Sequence, residues 1–171
     1  MLSVDADSQQ AQEALGAALA QVCPESCVIY LEGDLGVGKT TLARGFLRAL
    51  GHRGAVRSPT YTLLEPYQLE TRTCYHLDLY RLGEPQELEY LGLRDLLQDP
   101  AVLLVEWPER GEGELPMPDL RIRIGYAGDG RRLDLESGSA AGRAFLARFA
   151  GQGRRERPGS STDPGPERIP G

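Results

Sequence analysis

Apolar residues recur at Ala11, Ala14, Leu15, Ala18, Leu19 and Val22, which is the spacing of one helix face. The pattern predicts a helix over Asp7 to Val22, with Asp7 or Ser8 as its cap. A short unbroken apolar run follows, CVIYL at Cys27 to Leu31, as expected of a strand buried on both faces of a sheet. The run ends in the glycines of GDLGVG. Beyond them Leu42, Phe46, Leu47 and Leu50 line one face of a helix expected over Lys39 to Leu50 and stopped by Gly51.

Two extended runs come next, SPTYTLLEPYQL and TCYHLDLY, separated by a turn at Glu70 to Arg72, and they predict an antiparallel pair. Glu84 to Gln98 reads as a helix that mixes an acidic face with Leu88, Leu91 and Leu96. AVLLVE at Ala101 to Glu106 is a second buried strand. Arg121 to Tyr126 and Arg131 to Glu136 alternate polar and apolar residues around AGDG, the pattern of a hairpin. Ala140 to Ala150 is expected to form a last helix. From Gly151 onward the chain has no aromatic residue and one large aliphatic one, Ile169, too little apolar surface to offset the entropy of ordering. Residues 151–171 are therefore expected to be a disordered tail, and the alternation of strands and helices before it predicts a single α/β domain over residues 1–150.

Composition narrows the function classes. At 171 residues, 40% hydrophobic and 26% charged, the chain suits one globular domain with a core that needs no metal or disulfide support. No apolar run approaches the roughly 20 residues that cross a bilayer, and MLSVDADSQQ lacks a basic start followed by an apolar stretch, so a cytoplasmic location is expected. The three cysteines are an odd number without a Cys-x-x-Cys pair, which predicts free thiols. A net charge of −6 argues against broad electrostatic attachment to nucleic acid, so a role in an RNA pathway would run through partners. Of 19 basic residues 18 are arginine, and the only lysine is Lys39. A chain that uses arginine so heavily keeps lysine where a guanidinium fork cannot replace a compact ammonium.

Lys39 sits in the most informative segment. Gly33-Asp34-Leu35-Gly36-Val37-Gly38-Lys39-Thr40 matches G-x-x-x-x-G-K-[ST] and lies between a predicted strand and a predicted helix. In this pattern main-chain N–H groups and the helix N-terminus bind phosphate oxygens, the lysine reaches the β and γ phosphates, and the threonine hydroxyl reaches magnesium. A magnesium nucleotide is thus the expected ligand. Such a site takes a carboxylate from the end of a neighbouring strand. Asp78 ends TCYHLD and Glu106 ends AVLLVE, and the sequence alone leaves both open. Ser58-Pro59-Thr60-Tyr61 reads either as a segment that senses the γ phosphate through Thr60 or as a proline-directed turn. Trp107, beside Glu106, reads either as an exposed contact or as core.

GDLGVGKTT, SPTYTLLEPY, YHLDLYRL and LVEWPERG, in this order and at these intervals, resemble the bacterial TsaE (YjeE) family, the ATPase of tRNA threonylcarbamoyladenosine biosynthesis. The likeness spans roughly residues 1–150. It implies an α/β, three-layer P-loop NTPase fold with a mixed, mainly parallel sheet, and ATP and Mg2+ as cofactors. It also implies a role in forming N6-threonylcarbamoyladenosine in tRNAs that read codons beginning with A, through docking on a complex of two related threonylcarbamoyl-transfer subunits that ATP hydrolysis resets. By match of motif, residues Gly33 to Thr41 hold the nucleotide, Lys39 and Thr40 serve phosphate and magnesium, Glu106 completes the metal site, and Asp78 is the carboxylate needed for hydrolysis. Thr60 belongs to the switch-like segment and Trp107 lies beside the nucleotide. The N-terminal segment that lines the adenine site in relatives reads DADSQQAQ here, which points to Ser8 or Gln9. Arg131 in the hairpin is a candidate for a phosphate or partner contact.

Two other classes share the phosphate motif. A small-molecule kinase would need an arginine-bearing lid, but Arg110, Arg121, Arg123, Arg131 and Arg132 are mostly spaced as strand residues. A nucleotide-gated binding module would differ from a partner-dependent ATPase in showing no stimulation by its partners.

Overall fold

A computed structural model describes residues 1–155. In chain order its elements are β1 (Leu2–Ala6), α1 (Gln9–Val22), β2 (Cys27–Glu32), α2 (Lys39–Ala49), β3 (Leu64–Gln68) and β4 (Thr73–Asp78). A 3₁₀ helix (Pro85–Leu91), α3 (Leu93–Leu96), β5 (Val102–Glu106), a 3₁₀ turn (Pro108–Gly111), β6 (Leu120–Ala127), β7 (Gly130–Ser137) and α4 (Ala140–Arg155) follow. The seven strands form one sheet in the order β1-β7-β6-β2-β5-β4-β3. Its centre is parallel, β6 with β2, β2 with β5 and β5 with β4, while β3, β7 and β1 add antiparallel edges. The fold is the expected α/β architecture with a mixed sheet.

Period-two alternation along the central strands divides the side chains between two cores. Cys27, Ile29, Leu31, Cys74, Val102 and Leu104 face α1, α2 and the buried Phe145 and Phe149 of α4. Tyr30, Tyr75, Leu77, Leu103 and Val105 face the 3₁₀ helix and α3 through Leu88 and Leu93. Helices therefore cover both faces, which gives three layers. All three cysteines are free and buried in the first core. Burial pushes the Cys74 thiol up to about 12, and a hydrogen bond with Cys23, together with burial, raises that of Cys27.

Four local outcomes depart from the expected elements. The alternation of Leu2 and Val4 with Ser3 and Asp5 forms an unexpected strand, β1, paired with β7. The helix expected over Glu84 to Gln98 is broken. It begins as a 3₁₀ segment with a Glu84/Glu87 capping box and a proline in its first turn, and Gly92 then turns left-handed at φ 67° before the four-residue α3. The extended run from Ser58 enters the sheet only at Leu64, after Leu63 takes a positive φ of 66°. Helix α4 continues to Arg155, five residues past its expected end, so residues 151–155 are helical. The remainder of the expected tail, 156–171, lies outside the described residues.

Helices α1 and α2 cross at backbone contact. A Cβ on Gly16 would stand 2.8 Å from the Phe46 nitrogen, and one on Gly45 would stand 2.7 Å from the Glu13 carbonyl carbon. Neither neighbour is a side chain that can swing away. Gly45→Val is therefore expected to force the helices apart and to lower stability by about 2 kcal/mol or more, the upper part of the range for overpacking. In a domain of this size that is a fall of roughly 4 to 8 °C in melting temperature, measurable by calorimetry. An unchanged melting temperature would contradict the close crossing.

Candidate functional site

The parallel register sets the site. Leu31 of β2 pairs with Glu106 of β5, which pairs with Asp78 of β4, so three strand ends stand in one row. The glycine loop leaves β2 just beyond that row, at Gly33. Glu106 follows Val102 and Leu104 by the two-residue period, and Asp78 follows Cys74 and His76, so both carboxylates face the layer that holds α2. This is the carboxyl edge of the sheet, where open α/β sheets bind ligands.

The loop delivers the N-terminus of α2 to the same place. Gly38, the cap residue, has φ 112°, and a Cβ there would stand 2.7 Å from the side-chain amide carbon of Gln12. Gln12 is buried, and its Nε2 donates to the carbonyls of Val37 (3.2 Å) and Gly38 (3.4 Å). Arg131 Nε donates to the same Val37 carbonyl at 3.0 Å. In a trans peptide N–H and C=O point opposite ways. Holding these carbonyls from outside the loop therefore aims the N–H groups of Gly38 and Lys39 away from Gln12.

Lys39 is 5% exposed, and burial lowers its pKa against the opposing pull of Glu106 and Asp78. Its Nζ donates to the carbonyls of Gly33 (2.5 Å) and Asp34 (3.0 Å) and lies 4.1 Å from the centre of the Trp107 ring. Trp107 is held there by a left-handed backbone, φ 57°, at the turn after β5. A bulky residue persists in that conformation only where its surroundings fix it, and Tyr80 packs on the indole at 5.0 Å. Trp107 is thus half-buried in the cleft, joining the two readings that its sequence context left open.

The two carboxylates take different partners. Thr40 Oγ1 donates to Glu106, 3.1 Å from each oxygen, and Glu106 Oε2 also lies 2.6 Å from His76 Nε2. Asp78 accepts from Ser58 Oγ, from Thr60 Oγ1 at 3.2 Å and from the Tyr80 N–H at 3.0 Å. Ser58 and Thr60 are thereby joined to a strand end eighteen or more positions away in sequence, something a local turn would not require.

These residues line a cleft of about 480 Å³ that includes Leu35, Gly36, Thr41, Thr60, Asp78 and Trp107. On the other side of Gly36 to Gly38, a hollow of about 250 Å³ is lined by Ser8, Gln9, Gln12, Thr41, Arg44 and Arg131. Ser8 is also the cap of α1, its Oγ accepting from the Ala11 N–H at 3.1 Å. A larger hollow, about 720 Å³, lies between Leu88–Leu97 and Gly113–Pro116 and contains no residue of the glycine loop and neither Asp78 nor Glu106. Of the five arginines that a kinase lid could draw on, three are tied into the sheet, Arg121 and Arg123 to Glu32 and Arg132 to Asp5, while Arg131 holds the Val37 carbonyl and Arg110 lies over the Tyr80 ring. Arg81, which no sequence motif marks, lines the main cleft with its guanidinium 4.3 Å from the Tyr61 ring centre. Gln12, Ser58 and His76 carry no sequence signal as site residues, because their partners lie on strands and loops far away in sequence.

The family profile described as "Threonylcarbamoyl adenosine biosynthesis protein TsaE" matches residues 6–133. The tRNA threonylcarbamoyladenosine biosynthesis protein TsaE of Haemophilus influenzae is 44% identical over 126 residues, covering 74% of this chain and 80% of that protein. The protein of the same name in Bacillus subtilis is 44% identical over 105 residues, covering 61% of this chain and 65% of its own length. The fold is similar to the crystal structure of YdiB from Bacillus subtilis, with a TM-score of 0.78 and 29% identity over 89% of this chain and 95% of that one.

Trp107 is the only tryptophan in the chain, and it rests on the phosphate-motif lysine. A nucleoside triphosphate entering the cleft is therefore expected to change the protein's tryptophan emission. Lys39→Ala removes a charge-assisted hydrogen bond worth about 1.5–3 kcal/mol, and titration should show at least about tenfold weaker binding. Equal affinity in the two proteins would remove Lys39 from the phosphate site.

Proposed function

The chain belongs to the TsaE family of threonylcarbamoyl adenosine biosynthesis proteins, and on that premise we propose that it is an ATPase whose hydrolysis resets a tRNA-modifying complex. The modification is N6-threonylcarbamoyladenosine, in tRNAs that read codons beginning with A. The partner is the complex of two related threonylcarbamoyl-transfer subunits. tRNA itself is met at most indirectly, in keeping with a net charge of −6. Among the described residues no helix is long and apolar enough to cross a membrane, and a cytoplasmic place of action fits a tRNA pathway.

The observation that carries this reading is the division of labour between the adjacent carboxylates. Glu106 is bonded to the hydroxyl of the phosphate motif, Thr40, whereas Asp78 is bonded to the Ser58–Thr60 segment. Magnesium suits the first group, since it is typically held by one or two carboxylates, a hydroxyl and the phosphates it accompanies. Two carboxylates in register on neighbouring strands repel, and a divalent cation relieves that repulsion. Thr40 and Glu106 would hold the ion, which when bound neutralises charge on the β and γ phosphates. Lys39, the loop N–H groups and the start of α2 would bind the phosphates, and Gly33 to Thr41 would wrap them. Asp78 would orient the attacking water, and Thr60 would carry the state of the γ phosphate into the segment that holds Asp78. Ser8 and Arg131, beside the second hollow, would serve the nucleotide's other end, and Trp107 would cover Lys39.

Fast hydrolysis also needs a cation opposite the transferring phosphoryl, a group worth about 10³ to 10⁵ in rate where it is supplied. Arg81 is engaged with Tyr61, donating to its hydroxyl at 3.2 Å, and Arg110 lies over Tyr80 at 5.2 Å. Slow turnover by the isolated protein and completion of the site by its partners follow from this.

Two outcomes are expected. Glu106→Ala should raise the magnesium concentration needed for ATP binding, whereas Asp78→Asn should bind magnesium-ATP and lose most hydrolysis; calorimetry and phosphate release distinguish them, and the opposite pattern would exchange the two roles. In tRNA modification reconstituted from purified components, the wild-type protein should sustain many cycles, and reactions lacking it or containing Asp78→Asn should stall. Equal multiple-turnover yield in all three would refute the proposed role. Phosphorylation of a small metabolite would point instead to a kinase.

A further inference from the structure

His76 has no part in the phosphate-binding scheme, yet it is fully buried at the strand end that carries Asp78. It pairs in register with Leu104, two residues before Glu106 on β5, and points to the same face as Cys74 and Leu104. An apolar side chain would satisfy that position. The imidazole instead makes a 2.6 Å hydrogen bond from Nε2 to Glu106 Oε2, while its buried Nδ1 has no partner among the described residues. A buried polar atom without a partner destabilises the fold, so His76 is poorly explained as packing alone.

Glu106 supplies the reason. Thr40 Oγ1 is 3.1 Å from both of its oxygens and cannot by itself set how the carboxylate is turned. The bond from His76 reaches Oε2 only. We propose that His76 is the positioning residue of the metal site: by holding Oε2 it fixes the rotation of the Glu106 carboxylate and leaves Oε1 for Thr40 and the magnesium shell. The inference rests on the reading that Glu106 serves magnesium. It adds that the ordering of Glu106 comes from β4, the strand that also bears Asp78, so one strand disciplines both carboxylates.

The test is the magnesium dependence of ATP binding, followed by Trp107 emission, for wild type, His76→Leu, His76→Gln and Glu106→Gln. Loss of an outer partner of a metal-binding carboxylate typically weakens metal affinity by 10- to 100-fold. His76→Leu is expected to raise the half-saturating magnesium concentration about tenfold, with ATP affinity in EDTA unchanged. Gln places its amide nitrogen near the position of Nε2, so His76→Gln should recover most of the magnesium response, which packing alone would not predict. If His76→Leu does not fold, His76→Asn takes its place, because its amide nitrogen occupies the Nδ1 position and falls short of Glu106. A shift for Glu106→Gln with none for His76→Leu or His76→Asn would overturn the inference and leave the metal reading standing. No shift for Glu106→Gln would overturn both, and equal shifts for the Gln variant and for the Leu or Asn variant would reduce His76 to a packing residue.

Discussion

Three ionisable side chains, Lys39, Asp78 and Glu106, are 5%, 3% and 3% exposed at one edge of the sheet. Burying charge is unfavourable unless every polar atom finds a partner, and the surrounding structure meets that demand group by group. Main-chain carbonyls of Gly33 and Asp34 take the lysine, Thr40 and His76 take Glu106, and Ser58, Thr60 and the Tyr80 N–H take Asp78. The resulting cluster is held without a direct lysine–carboxylate bond among the described residues. The lysine and the two carboxylates therefore do not quench one another through direct bonds.

The parallel ladder makes this cluster possible. Strands β2, β5 and β4 are buried on both faces and locked in register, so the end of one fixes the ends of the others to within a residue. A slip of a single residue would turn Glu106 or Asp78 to the opposite face, against Leu77 and Val105 of the second core. The precision of the site is a property of the sheet, whereas the glycine loop brings Lys39 and the start of α2 to that edge.

Support for that loop comes from the flanks. Gln12 of α1 and Arg131 at the start of β7 converge on the Val37 carbonyl, and the close crossing of α1 and α2 through Gly16 and Gly45 keeps Gln12 within reach. The antiparallel edge strands thus do more than extend the sheet: the β6–β7 hairpin carries an arginine to the back of the phosphate loop, and β1 pairs β7 in place. The exposed ion pairs along the hairpin, Arg123 with Glu136 and Arg132 with Asp5, add little stability of their own.

Sequence alone determined what depends on neighbours in the chain. The glycine loop between β2 and α2, the buried strands β2 and β5, the β3–β4 and β6–β7 pairings and helices α1 and α2 were all legible, because period and turn chemistry act over a few residues. Asp78 and Glu106 were legible as candidates for the same reason, each ending an apolar run. Only tertiary structure decided which partners each carboxylate takes, since Thr40 and Glu106 are 66 positions apart and His76 and Glu106 are 30 apart. It also decided that Gln12 braces the loop and that β1 forms at all by pairing with β7. Those outcomes depend on which strand lies beside which, and sheet order is fixed by long-range burial and register that local periodicity does not encode.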